Sequence, residues 1–141
     1  MKNFAVMETQ SPNQWSKWTF SHPLIPKPVP GKLFLREPLG LDSMEVSLNE
    51  LRPGAAVPFL HQHERHEELY IFLDGEGEFV VDGTHFPVAA GTVVRVDPAG
   101  KRSWRNVGSV PLHYLVIQAQ KGSLSASGIQ DGVPCAEPAP W

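Results

Sequence analysis

The chain has 141 residues, of which 41% are hydrophobic and 19% charged, and carries a net charge of −3. That length and balance describe one folded domain with a core of its own and exclude a disordered chain. Lys and Arg are scattered, so the basic footprint of a nucleic-acid binder is missing, and the lone Cys135 can build neither an internal disulfide nor a thiolate metal cage.

The polar, Trp-containing opening lacks the apolar core of a signal peptide, and no stretch approaches the roughly 18 apolar residues of a membrane span. A cytoplasmic protein is the expectation. Pro23, Pro26, Pro28 and Pro30 then deny their segment a helix or a central strand. Residues 1–30 therefore read as an extended arm, lying on the surface or across a partner subunit.

From residue 31 the sequence turns strand-like. Segments 31–37 and 44–51 alternate apolar and polar residues, and further short runs follow at 57–63, 68–73, 78–82, 93–96 and 112–118. Pro53-Gly54, Asp74-Gly75, Asp82-Gly83, Ala90-Gly91 and Pro98-Ala99-Gly100 separate them as turn signals, with Asp82-Gly83 the strongest hairpin signature. No segment holds a helical period over ten residues. The pattern predicts an all-β sandwich, jelly roll or closed barrel over 31–120, followed by a Pro-rich tail over 121–141.

In residues 68–73, Glu68, Tyr70 and Phe72 share one face while Leu69, Ile71 and Leu73 share the other. A strand apolar on both faces needs a cover on its outer side, and a second subunit is the common one. A homodimer is expected on that ground.

His61 and His63 lie two residues apart in a strand-like segment, so both imidazoles should project to one face. A short polar turn, Glu64 to Glu67, separates them from Glu68. If the chain reverses there, two imidazoles and one carboxylate converge, a donor set suited to Fe, Mn, Ni, Cu or Zn. The bland alternative is a solvated strand end. His66 reads as solvent-facing in the turn, His85 as a surface residue, and His22 as part of the arm.

The frame around these residues resembles the first motif of the cupin superfamily: Gly54, then His61-Gln62-His63, then Glu68, then Gly75. The second motif is matched by Gly91, Pro98-Ala99-Gly100 and Asn106, with Ser103 where the family places a further histidine. The resemblance implies a double-stranded β-helix, a jelly-roll barrel with a metal site in its mouth, and carries His61, His63 and Glu68 over as three ligands. His113 is the residue with chemistry suited to filling the fourth position; water or a vacant position are the alternatives.

Two functions follow from that reading. One is a metal-dependent enzyme acting on a small organic molecule, with dioxygenase, isomerase and lyase chemistry all open and no catalytic side chain assigned. The other is a non-catalytic barrel that binds a sugar- or acid-type molecule over a degenerate metal site. Lys101, Arg102 and Arg105 cluster near Trp104 and read either as a cationic rim steering an anion or as a solvated loop. Tyr70, Phe72, Phe79 and Trp104 read as pocket lining or as core, and aromatics on strands more often fill cores.

Overall fold

The computed structural model of the chain describes residues 2–141. Short alternating runs broken by Gly and Pro become ten strands: β1 Thr19–Phe20, β2 Val29–Pro30, β3 Lys32–Phe34, β4 Glu45–Leu51, β5 His66–Asp74, β6 Glu76–Val81, β7 Thr84–Ala89, β8 Val93–Val96, β9 Arg102–Asn106 and β10 Leu112–Gln120. They form a five-stranded sheet in the order β3-β4-β10-β5-β8, a three-stranded sheet β7-β6-β9, and a small β1-β2 pair. The all-β expectation holds, as does the hairpin at Asp82-Gly83. Both turn residues have positive φ, 48° and 81°, the geometry that twists a two-residue loop to match its strands.

The register of the large sheet sorts its inward side chains into rows. Lys32, Asn49, Tyr114 and Phe72 lie side by side across four strands; Phe34, Ser47, Val116, Tyr70 and Val94 form the next row. Glu45, Gln118, Glu68 and Val96 form the last, at the barrel's mouth. Facing them from the smaller sheet are Phe79, Val88 and Trp104, which close one aromatic-rich core with Tyr70, Phe72 and Tyr114. Phe79 stacks on Trp104 with ring centroids 5.5 Å apart, and the Trp104 indole N–H donates to the Tyr114 hydroxyl at 2.8 Å. These aromatics are core.

Three segments depart from the expectation. Residues 57–63 form no ladder strand; Ala56 and His61 make isolated bridges to Arg105 and Arg102. Segment 31–37 yields only the three-residue β3, after which Arg36–Leu39 makes a single helical turn, α1, closed by Gly40 in the left-handed conformation at φ 67°. Pro38 is tolerated there because the first turn of a helix has no N–H bond to lose.

The arm is also more than an extended strap. Pro12–Lys17 forms a 3₁₀ turn that packs on β3 and β4 and buries Trp15, whose ring meets His113 edge-on at 5.8 Å. Leu48, on the outer face of β4, is buried. Part of the apolar outer face is thus covered by the chain's own N-terminal segment. The tail forms turns without strands and is largely exposed. Among the described residues no helix is long and apolar enough to cross a membrane.

Candidate metal centre

The bridge between His61 and Arg102 fixes the first histidine: each residue's N–H donates to the other's carbonyl, at 3.0–3.1 Å. The His63 N–H donates to the Pro98 carbonyl at 2.9 Å. The chain then reverses within two residues, shorter than the expected turn because His66 already belongs to β5, and Glu68 comes back under both rings. His61 Nε2 and His63 Nε2 lie 3.5 and 3.2 Å from the same oxygen, Glu68 Oε1. The three ligand atoms lie within 4.8 Å of one another.

That spacing fits a metal ion. Donors bonded to one ion at about 2.1 Å and set at octahedral to tetrahedral angles are about 3.0–3.4 Å apart. His63 Nε2 is buried and, although Glu68 Oε1 lies 3.2 Å away, makes no well-aligned hydrogen bond. Burial, with Arg102 and His61 adding to it, lowers the His63 pKa against the opposing pull of Glu68, which favours the neutral imidazole that a metal requires. For Glu68, burial alone would push the carboxyl up. The His61 and Tyr70 hydrogen bonds and the charges of His63 and Arg102 outweigh it and hold the pKa at about 2, so the group is a carboxylate. The Tyr70 hydroxyl donates to Glu68 Oε1 at 2.7 Å, orienting the carboxylate, and burial together with Glu68 raises the phenol's own pKa so that it stays a donor.

Of the residues near the second motif, the one facing Glu68 is Arg102, one place before Ser103. β9 alternates Arg102, Trp104 and Asn106 inward with Ser103 and Arg105 outward. Ser103 turns away and donates to the Val57 carbonyl at 2.8 Å. Arg102 is fully buried; its Nε lies 3.7 Å from Glu68 Oε1, and its terminal nitrogens reach the carbonyls of His61 and Asp97 at 3.4 and 3.2 Å. A guanidinium has no lone pair to offer an ion, so it occupies space beside the ligands as a fixed positive charge. This corrects the cationic-rim reading: Arg102 is interior, whereas Lys101 and Arg105 are exposed and Arg105 pairs outward with Glu78 at 2.9 Å.

His113 is not at the site. It lies on the outer face, with Nδ1 2.6 Å from Asp74 Oδ1 and Nε2 2.8 Å from Glu50 Oε2, so both ring nitrogens are taken. His66 stacks on His63 at 6.1 Å but directs Nδ1 to Gln118 Oε1 at 2.8 Å. His85 is exposed beside Glu78, and His22 Nδ1 accepts the Leu24 N–H in the arm.

A residue that alternation alone did not single out completes the interior. Lys32 faces inward in register with Asn49 and donates to its Oδ1 at 2.8 Å. The residue is half-buried, and that burial lowers its pKa from 10.5 to about 8 against the opposing pull of Glu68 and Glu45. A cleft of about 630 Å³ opens over Lys32, Phe34, Glu45, His66 and Gln118.

A family model described as a cupin domain matches residues 47–118, half of the chain. The chain is a cupin. It resembles the crystal structure of a cupin protein from Bacteroides fragilis at 32% identity and a TM-score of 0.79, covering 96% of this chain and 99% of that one. The likeness therefore takes in the arm and tail as well as the barrel. An oxalate-binding protein from Thermotoga maritima is 38% identical over 68 residues, 48% of this chain and 55% of the relative. A proposed sugar phosphate isomerase from Acidithiobacillus ferrooxidans matches at 29% identity and a TM-score of 0.58, over 63% of this cupin and 58% of that chain. This cupin spans about half the length of the curated relatives it matches.

Proposed function

We propose that the protein binds one divalent transition metal through His61, His63 and Glu68 and uses it to bind and transform a small organic molecule in the barrel mouth. The observation that carries this reading is the approach of two imidazole nitrogens to one carboxylate oxygen at ligand spacing, with His63 Nε2 buried and without a well-aligned hydrogen bond. Such an ion would supply Lewis acidity, polarising a bound carbonyl or lowering the pKa of a bound water. The chain's own residues do the rest. Tyr70 holds Glu68 in place, and Arg102 compensates its charge from the interior. The packed layer of Tyr70, Phe79 and Trp104 closes the space beneath the ligands to water. Two of the similar proteins carry names that specify anionic ligands, oxalate and a sugar phosphate, which supports a small anionic molecule as the guest.

Elemental analysis of protein purified without added metal tests the centre. Near-stoichiometric iron, manganese, nickel or zinc in the wild type, lost in His61→Ala and Glu68→Ala, is the expected result. Metal content unchanged in those variants would remove the assigned ligands. A metal-free wild type that still binds a small acid would favour the non-catalytic barrel. A cytoplasmic homodimer belongs to the same proposal: Leu69, Ile71 and Ile117 remain only half-buried on the outer face beyond the reach of the arm. Light scattering that returns a 15.6 kDa monomer would exclude the dimer.

A further inference from the structure

Lys32 is a cation placed where a structural lysine has no reason to be. Its side chain lies on the inner face of the barrel, two rows from Glu68, and the amide oxygen of Asn49 is its hydrogen-bond acceptor. Among the described residues no carboxylate comes within the 4.0 Å of an ion pair. An ammonium has three donors, and Asn49 satisfies one. Phe34, with its ring centre 5.0 Å from Nζ, offers the cation a π face but no lone pair. A half-buried charge with one neutral acceptor gains from an anion brought to it through the cleft.

The charge balance of the interior points the same way. Glu68 contributes one negative charge and Arg102 one positive charge in contact with it. Lys32 adds a second positive charge, and a divalent ion at the three ligands would add two more. Glu45, at the mouth, is engaged by the Arg36 and Val46 backbone N–H groups through Oε1. Counting the Glu45 carboxylate, the loaded interior is left with two positive charges in excess, and the cleft over Lys32 is lined also by Glu45 and by His66, whose ring stacks on that of His63. A neutral or cationic guest would leave that charge standing; a dianion cancels it.

We propose that Lys32 is the second anchor of the site and binds one acidic group of a small dianionic ligand whose other acidic group lies on the ion held by His61, His63 and Glu68. This rests on the metal reading for the first anchor, while the assignment of Lys32 stands on its inward register, its single hydrogen-bond acceptor and its lack of a carboxylate partner. Lys32 is a positioning and specificity group here: it selects ligands with a second anionic group over those with one.

The test compares wild type, Lys32→Met and Lys32→Arg by calorimetric titration with succinate, phosphoglycolate and butyrate at pH 7, with metal content measured on the same preparations. Wild type is expected to bind at least one dianion more tightly than butyrate. Lys32→Met should weaken that dianion by about tenfold or more, the scale of one charge-assisted hydrogen bond, and leave butyrate unchanged. Lys32→Arg should retain most of the affinity, which separates lost charge from lost folding. A loss confined to succinate assigns a carboxylate to Lys32, and a loss confined to phosphoglycolate assigns a phosphate. Equal losses for butyrate and the dianions, no loss, or a wild type that binds neither dianion would overturn the proposal. Lys32-dependent binding in protein that carries no metal would keep Lys32 and overturn the ion instead.

Discussion

Replacing Lys32 by Met keeps an unbranched apolar stem and removes the ammonium, and it should make the ligand-free protein more stable at neutral pH. The amine titrates near its usual 10.5 in the unfolded chain and at about 8 in the fold, where burial disfavours the charge. Below pH 8 both states are protonated and the full penalty, about 3 kcal/mol, weighs on the native state. Between about pH 8 and 10.5 the unfolded chain still holds a proton that the folded chain has released, so the wild type gains stability as pH rises through that window. Loss of the hydrogen bond to Asn49 Oδ1 offsets about 1 kcal/mol of the gain. The variant should therefore be about 2 kcal/mol more stable at pH 7, roughly 6 °C in Tm, and the advantage should vanish by pH 10.5. Urea denaturation of both proteins in EDTA at several pH values measures the difference, and other titrating groups cancel because the two proteins share them. A variant less stable than wild type at pH 7, or a gap that does not change with pH, would refute the reasoning. A residue that costs stability and remains in the barrel is the pattern expected of a binding group.

Removing Arg102 should have the opposite sign. Arg102→Met leaves Glu68 as a buried carboxylate without its guanidinium and should cost about 3 kcal/mol in metal-free protein; the loss should shrink when a divalent ion is added, because the ion supplies the missing positive charge. Equal losses with EDTA and with metal would show that Arg102 acts through packing alone. Trp15→Ala should cost about 3 kcal/mol by chemical denaturation, since a buried indole that covers His113 is deleted. A variant as stable as wild type would show that the arm is dispensable to the fold.

The convergence of His61, His63 and Glu68 was legible because its signal is local. A His-x-His pair and a Glu in phase with Tyr70 and Phe72 need only a chain reversal to converge, and the intervening residues are polar enough to make it. The two inward cations, Arg102 and Lys32, were not legible, for two physical reasons. A period of two assigns charged residues to solvent, so Arg102 read as surface although it lies on the inward phase of β9. In β3 both faces are covered, the inner by the barrel and the outer by the 3₁₀ turn around Trp15, so Lys32-Leu33-Phe34 gives no clean alternation to say which face is inside. The strand expected at 57–63 failed because His-x-His satisfies strand spacing while its partners, Arg102 and Pro98, lie on two different segments.

The aromatic layer of Tyr70, Phe72, Phe79 and Trp104 has a bearing on traffic. These side chains are almost wholly enclosed and pack into one core cluster, so a guest held at the mouth cannot pass between them. Whatever enters at the mouth has to leave by the same doorway. Departure of one guest must precede arrival of the next, and a bulky or slow-leaving compound would act as a stopper for the entire molecule.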